Sequence, residues 1–152
     1  MSLVPGRAVG AVRRTWHRER REIGQVASRI LRVADGAGDV LVALGGGRAR
    51  GLLDALDQHV VPYLDWEEAI VHPVIDRLSG TSRGSRLLGA QLEQVRGLIG
   101  RVEADWLAAR RHPTRGEVAA LRASMRELGL VLRAYLDQEE RVLVPVLVRA
   151  GA

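Results

Sequence analysis

Tyr63 and Glu67 stand four residues apart, and so do Tyr135 and Glu139, 72 residues further along the chain. The neighbourhood repeats with them: Tyr63-Leu64-Asp65-Trp66-Glu67-Glu68 returns as Tyr135-Leu136-Asp137-Gln138-Glu139-Glu140, and Pro73-Val74 returns as Pro145-Val146. A spacing of four puts a phenol and a carboxylate on one face of a helix, one turn apart. The phenol can donate a hydrogen bond to the carboxylate, or both can offer oxygen to a hard cation. Because a buried ionisable group without partners is costly, a polar pair that occurs twice on an otherwise apolar stripe reads as a site.

The elements that must carry these pairs follow from periodicity. Positions 53, 56, 60, 63, 67, 70 and 74 step by three and four, reading Leu, Leu, Val, Tyr, Glu, Ile, Val; positions 125, 128, 132, 135, 139, 142 and 146 repeat the rule. Two further stripes run through Val12, Trp16, Glu19, Ile23, Val26 and Ile30, and through Leu88, Gln91, Val95, Leu98 and Val102. Adding 72 maps the first of these onto the second, Glu19 onto Gln91 among them, so the repeat spans whole helical hairpins. Gly- and Ser-rich breaks at 35–38, 45–47 and 79–84, with His112-Pro113-Thr114-Arg115-Gly116, divide the chain. Thr114 followed by Glu117 has the form of a capping box.

The expected fold is all-α: one domain over residues 1–152, an up-down-up-down four-helix bundle built from two duplicated hairpins, with helices at about 7–34, 47–79, 85–111 and 115–149. The apolar stretch Val40–Leu44 extends a helix or packs as a short piece of its own. Pro73 and Pro145 are expected to loosen matching turns, and the unmatched Pro62 to open the turn beside Tyr63.

Composition narrows the chemistry. There is no Cys, which removes disulfides, thiolate ligands and thiol catalysis. Missing too are a signal-like start and any apolar run near the roughly 20 residues that span a bilayer, so a cytoplasmic protein with no membrane partner is expected. The formal net charge is +5, and every basic residue is Arg. These arginines are scattered, and 3% aromatic content leaves little to stack on bases, so nucleic acid is not the expected partner. Arg-rich surfaces and the 40–44 stretch could serve a homodimer.

One ligand-type residue followed by Glu-Glu at four and five and by Pro at ten, present twice on alternate helices, resembles the haemerythrin-like HHE cation-binding family. The resemblance covers nearly the whole chain. It implies a non-haem di-iron centre, held by His-x-x-x-Glu pairs with further histidines from the first and third helices, and used for oxygen, nitric oxide, peroxide or iron handling. Glu67 and Glu139 match the family's carboxylates, whereas Tyr63 and Tyr135 stand at its motif histidines, and Glu19 and Gln91 fall at the other two.

Two readings of the layer remain open. In the first, Glu19, Tyr63, Glu67, Tyr135 and Glu139 bind iron or another hard cation, with possible oxygen or peroxide chemistry, and His17, His59 and Gln91 are secondary candidates. In the second, no cofactor is bound: the phenols donate to the carboxylates, Arg20 and Arg96 compensate their charge, and the helices form an interaction or small-ligand module. His72 and His112 are expected to be structural or exposed, and Glu68 and Glu140 to flank their helices facing water or Arg.

Overall fold

The computed structural model describes residues 6–36, 38–45 and 51–151, and within them every regular element is helical. Helix α1 is Gly6–Asp35, α2 is Val40–Gly45, α4 is Arg83–Arg111 and α5 is Arg115–Arg149. Between α2 and α4 lies α3, a continuous helical run over 52–79 in which α-helical Leu52–Ala55, Val61–Trp66 and His72–Ser79 alternate with π-helical Leu56–Val60 and Glu67–Val71. Helix α1 packs against α3 and α5, and α4 against α3 and α5. The expected helix start at 47 and the break at Gly46-Gly47 lie outside the described residues. The 40–44 stretch is a short helix of its own, burying Val40 and Leu44 while Val42 faces out.

The stripes become the core. Trp16, Ile23 and Ile30 of α1, Leu56, Val60 and Leu64 of α3, Leu88, Leu92 and Val95 of α4, and Leu128, Leu132 and Leu143 of α5 are all buried. The stripe departs from expectation after each seam glutamate. Ile70 is exposed and Val142 only half buried, while Val71 and Leu143 are fully inside. Both steps are therefore four residues where three was read, since one apolar face accommodates either.

Helix ends and crossings are fixed by particular groups. Thr114 caps α5, its hydroxyl oxygen accepting the Glu117 N–H at 3.2 Å. Gly80 closes α3 with φ 72°, the left-handed geometry that lacks a penalty only in glycine, and its N–H reaches the Asp76 carbonyl at 2.9 Å. The Arg122 guanidinium of α5 donates to the carbonyls of Val33, Ala34, Gly36 and Gly38, gathering acceptors that the end of α1 leaves without helical donors. Where α1 and α5 touch, Gly129 is buried, and a Cβ there would come within 2.7 Å of Leu31 Cγ.

The prolines act unequally. Pro62 and Pro73 each sit just after a π-turn, whereas Pro145 lies inside an α-helix. A proline has no N–H to close the ordinary ring four residues back. In both π-turns the residue before the proline closes a wider ring instead, Val61 N–H to Leu56 O and His72 N–H to Glu67 O. The matched loosening expected at Pro73 and Pro145 thus appears at Pro73, and the opening expected at Pro62 is present.

Candidate functional site

Tyr63, Glu67, Tyr135 and Glu139 all turn inward, Tyr63 being the most accessible at 3% exposure. Helix α5 supplies Tyr135 and Glu139 from an unbroken α-helical stretch, while α3 supplies Tyr63 from between its two π-turns and Glu67 from the first position of the second. The Tyr63 hydroxyl donates to Glu139 Oε1 at 2.5 Å, a short bond. Trp16 of α1 aims its indole N–H at the same oxygen. Glu139 is thereby held by two donors through one oxygen, and Oε2 is buried without a partner. Neither oxygen of Glu67 has a hydrogen-bond partner, although the side chain is fully buried.

Electrostatics follow from this enclosure. Burial, then the neighbouring Glu139 carboxylate, holds Glu67 well above the usual carboxylate range, so it favours the neutral acid; the nearby phenols pull the other way. Burial first, and then the two carboxylates, raise both phenols far beyond ordinary tyrosine, Tyr63 and Tyr135 alike. Both are protonated donors at any physiological pH unless a cation displaces the proton.

His72 enters this layer, so of the two places expected for it, structural or exposed, the exposed one does not hold. It is buried, with Nε2 3.3 Å from the Tyr135 hydroxyl and 3.9 Å from Glu67 Oε2. The cause is the π-turn, whose five-residue ring stacks His72 over Glu67; the corresponding Val144, on the unbroken α5, is 37% exposed. Burial lowers the His72 pKa against the opposing pull of Glu68 and Asp76, which favours a neutral imidazole with a lone pair. The sequence signal was present in two prolines eleven residues apart, each following a turn it could widen. Trp16 is legible as a stripe residue, and its buried indole N–H needs an acceptor, which Glu139 supplies.

Other expected residues stand elsewhere. Glu19 is half buried at the rim of the layer and pairs with Arg18 at 3.4 Å. It misses the layer because Trp16, one turn earlier on the same stripe, fills the place facing Glu139. Gln91 is half buried with an unpartnered Oε1, while Leu88 and Leu92 carry the buried face of α4. His17 is exposed, its ring tilted against Trp16, and His59 is exposed with Nδ1 3.6 Å from Glu22. His112 is exposed, as expected.

Arg20 and Arg96 do not reach the buried carboxylates. Arg20 binds Glu140 at 2.7 Å, and Arg96 binds Asp65 at 2.8 Å and Glu68 at 3.0 Å, all on the outside. Glu68 and Glu140 are thus the flanking residues expected of them. The inner layer must meet its charge by other means.

A comparison with family models matches the Hemerythrin HHE cation binding domain over residues 10–148. The chain belongs to this family. Comparisons with curated proteins and with solved structures find no match. Membership makes this haemerythrin-type chain one of a cation-binding family, and the donor set can be tested for fit. Among the described residues no three His, Asp or Glu side chains gather into a cation cluster. Counting the phenols enlarges the donor set: Glu67 with two free oxygens, Glu139 with one, and the hydroxyls of Tyr63 and Tyr135 beside His72, whose burial favours the neutral form. Such an oxygen-rich group with one nitrogen suits a hard cation.

Beside Tyr63 the helices part. A cavity of about 240 Å³ between α1 and α3 is lined by Thr15, Glu19, Gln58, His59, Pro62, Tyr63 and Trp66. A second, of about 270 Å³, shares Gln58 and His59 with it and continues past Glu22 and Arg29. Both shared residues belong to the π-turn Leu56–Val60, so the same wide turn that precedes Pro62 also walls the groove.

Proposed function

We propose that this haemerythrin-type protein binds a single hard cation, iron foremost, through Glu67, Glu139, Tyr63, Tyr135 and His72. We read its frame as an up-down-up-down four-helix bundle of two duplicated hairpins, with α2 as an added piece. The observation that carries the proposal is the set of three fully buried carboxylate oxygens without a hydrogen-bond donor, two on Glu67 and one on Glu139. Were both groups ionised, leaving such oxygens bare would cost several kcal/mol per group, and a cation among them would offset that cost.

The proposed centre differs from the di-iron site that the resemblance first implied. A second metal would need further nitrogen or carboxylate ligands, but Glu19 is turned to the rim and Gln91 is only half buried. Bound ferric iron would supply Lewis acidity and one-electron redox chemistry. The chain's own contribution is positional. Trp16 and Tyr63 fix one oxygen of Glu139 and leave the other without a partner, while Tyr135 and His72 are joined by the contact of hydroxyl and Nε2.

Iron content and the visible spectrum of protein purified without chelator test this reading. The expected result is close to one iron per chain with a tyrosinate charge-transfer band, which Tyr63→Phe combined with Tyr135→Phe abolishes. Protein that stays colourless and metal-free after anaerobic iron loading and re-exposure to air refutes it.

A second reading is favoured by one observation: Glu139 Oε1 is already satisfied by two donors and Glu67 favours its neutral form. On that reading the layer is a metal-free polar core, and the α1/α3 cavity is a small-ligand site. The same iron measurement decides between the two.

A further inference from the structure

The groove between α1 and α3 has a chemistry of its own. Its walls carry Glu19 and Glu22 from α1, with Gln58 and His59 from the π-turn of α3. His59 Nδ1 lies 3.6 Å from Glu22, and both are exposed. Two carboxylates and an imidazole face the opening, while on its outer side Glu19 pairs with Arg18 and Glu22 also lines a surface pocket with Arg14, Arg18 and Arg21. Arg29 stands at the far end of the second cavity and Arg18 pairs outside with Glu19, which leaves the stretch nearest Tyr63 free of arginine.

The inner wall links this groove to the buried layer. Tyr63 lines the cavity and, with the same side chain, donates to Glu139 at 2.5 Å. A single side chain therefore separates the groove from an acidic interior in which three oxygens have no partner. Trp66 stands beside Tyr63, ring centres 6.1 Å apart, and completes the wall. Carboxylate and imidazole groups spaced along a narrow cleft offer an entering cation successive ligands on its way inward.

We propose that this groove is the entry route for a divalent cation, with Glu19, Glu22 and His59 as transient holding points and Tyr63 as the last side chain before Glu139. The inference rests on the cation-binding reading above. It adds a path and the residues that set its rate. Glu19 thereby takes a part in cation handling from the rim, outside the final ligand set.

The test is stopped-flow loading of chelator-treated, anaerobic protein with ferrous iron, followed by tryptophan emission, with iron per chain measured at the end. Glu19→Gln combined with Glu22→Gln is expected to slow loading about tenfold, while final iron per chain stays at the wild-type value. Glu127→Gln, an exposed carboxylate paired with Arg101 away from the groove, is the control and should load at the wild-type rate. Wild-type loading speed in the double variant, with full occupancy, overturns the route and leaves the binding site standing. Failure of the wild-type protein to take up iron overturns both.

Discussion

At the scale of single residues the centre is defined by unequal treatment of two equivalent glutamates. Glu139 receives two donors on one oxygen, while Glu67 receives none and favours the neutral acid. The raised pKa has a direct consequence for stability in protein stripped of metal. As pH rises above the usual carboxylate range, near 4.5, the unfolded chain gives up the Glu67 proton while the folded chain retains it. Folded protein then binds more protons than unfolded protein, and stability falls with rising pH until the folded group also ionises. Glu67→Gln removes this loss. Thermal melts in chelator should show the variant equal to or above wild type at pH 7, with the difference closing towards pH 4; a marked loss at pH 7 would contradict the neutral-acid account.

At the scale of elements, α3 and α5 present the same residue types on different backbones. The phenol–carboxylate pairs were legible because a spacing of four has one meaning on a helix, and both pairs are buried. His72 was not legible from the same rule, since a residue five positions after Glu67 points away on an α-helix and only the π-turn stacks it above the carboxylate. Glu19 failed for a different reason. Stripe positions Trp16 and Glu19 are adjacent turns of α1, and periodicity alone does not say which of them meets Glu139. Element contacts can also be tested: Gly129→Ala should cost about 1–3 kcal/mol in denaturant unfolding, because its Cβ would meet Leu31 and force α1 from α5. Thr114→Ala should cost about 1 kcal/mol by removing the cap of α5, with no change in iron content.

At the scale of the whole molecule, charge is kept outside. The ion pairs Arg20–Glu140, Arg96–Asp65 and Arg126–Asp35 lie on the surface and add little stability individually. No described helix is long and apolar enough to cross a membrane. Inside, among the described residues, three of the six buried side-chain polar atoms without a partner belong to Glu67 and Glu139, so a cation bound there would couple to fold stability. Saturation at about a hundredfold excess over Kd would add about 2.7 kcal/mol, and the melting temperature should fall on chelation and return on reloading. A melting temperature indifferent to iron would show that the layer does not bind it in the folded state.

The indole of Trp16 makes this layer visible from outside. The chain has three tryptophans, of which Trp66 and Trp106 are half buried and only Trp16 is both sealed in and bonded to a central carboxylate. Its emission responds to whatever reaches Glu139, since any change in the charge or protonation of that carboxylate alters the partner of the excited ring. Trp66 beside Tyr63 and Trp106 beneath Arg110 supply a background that single Trp→Phe changes can subtract. The protein thus carries a built-in optical gauge of its own core, readable without an added dye and at concentrations where colour would be too faint to see.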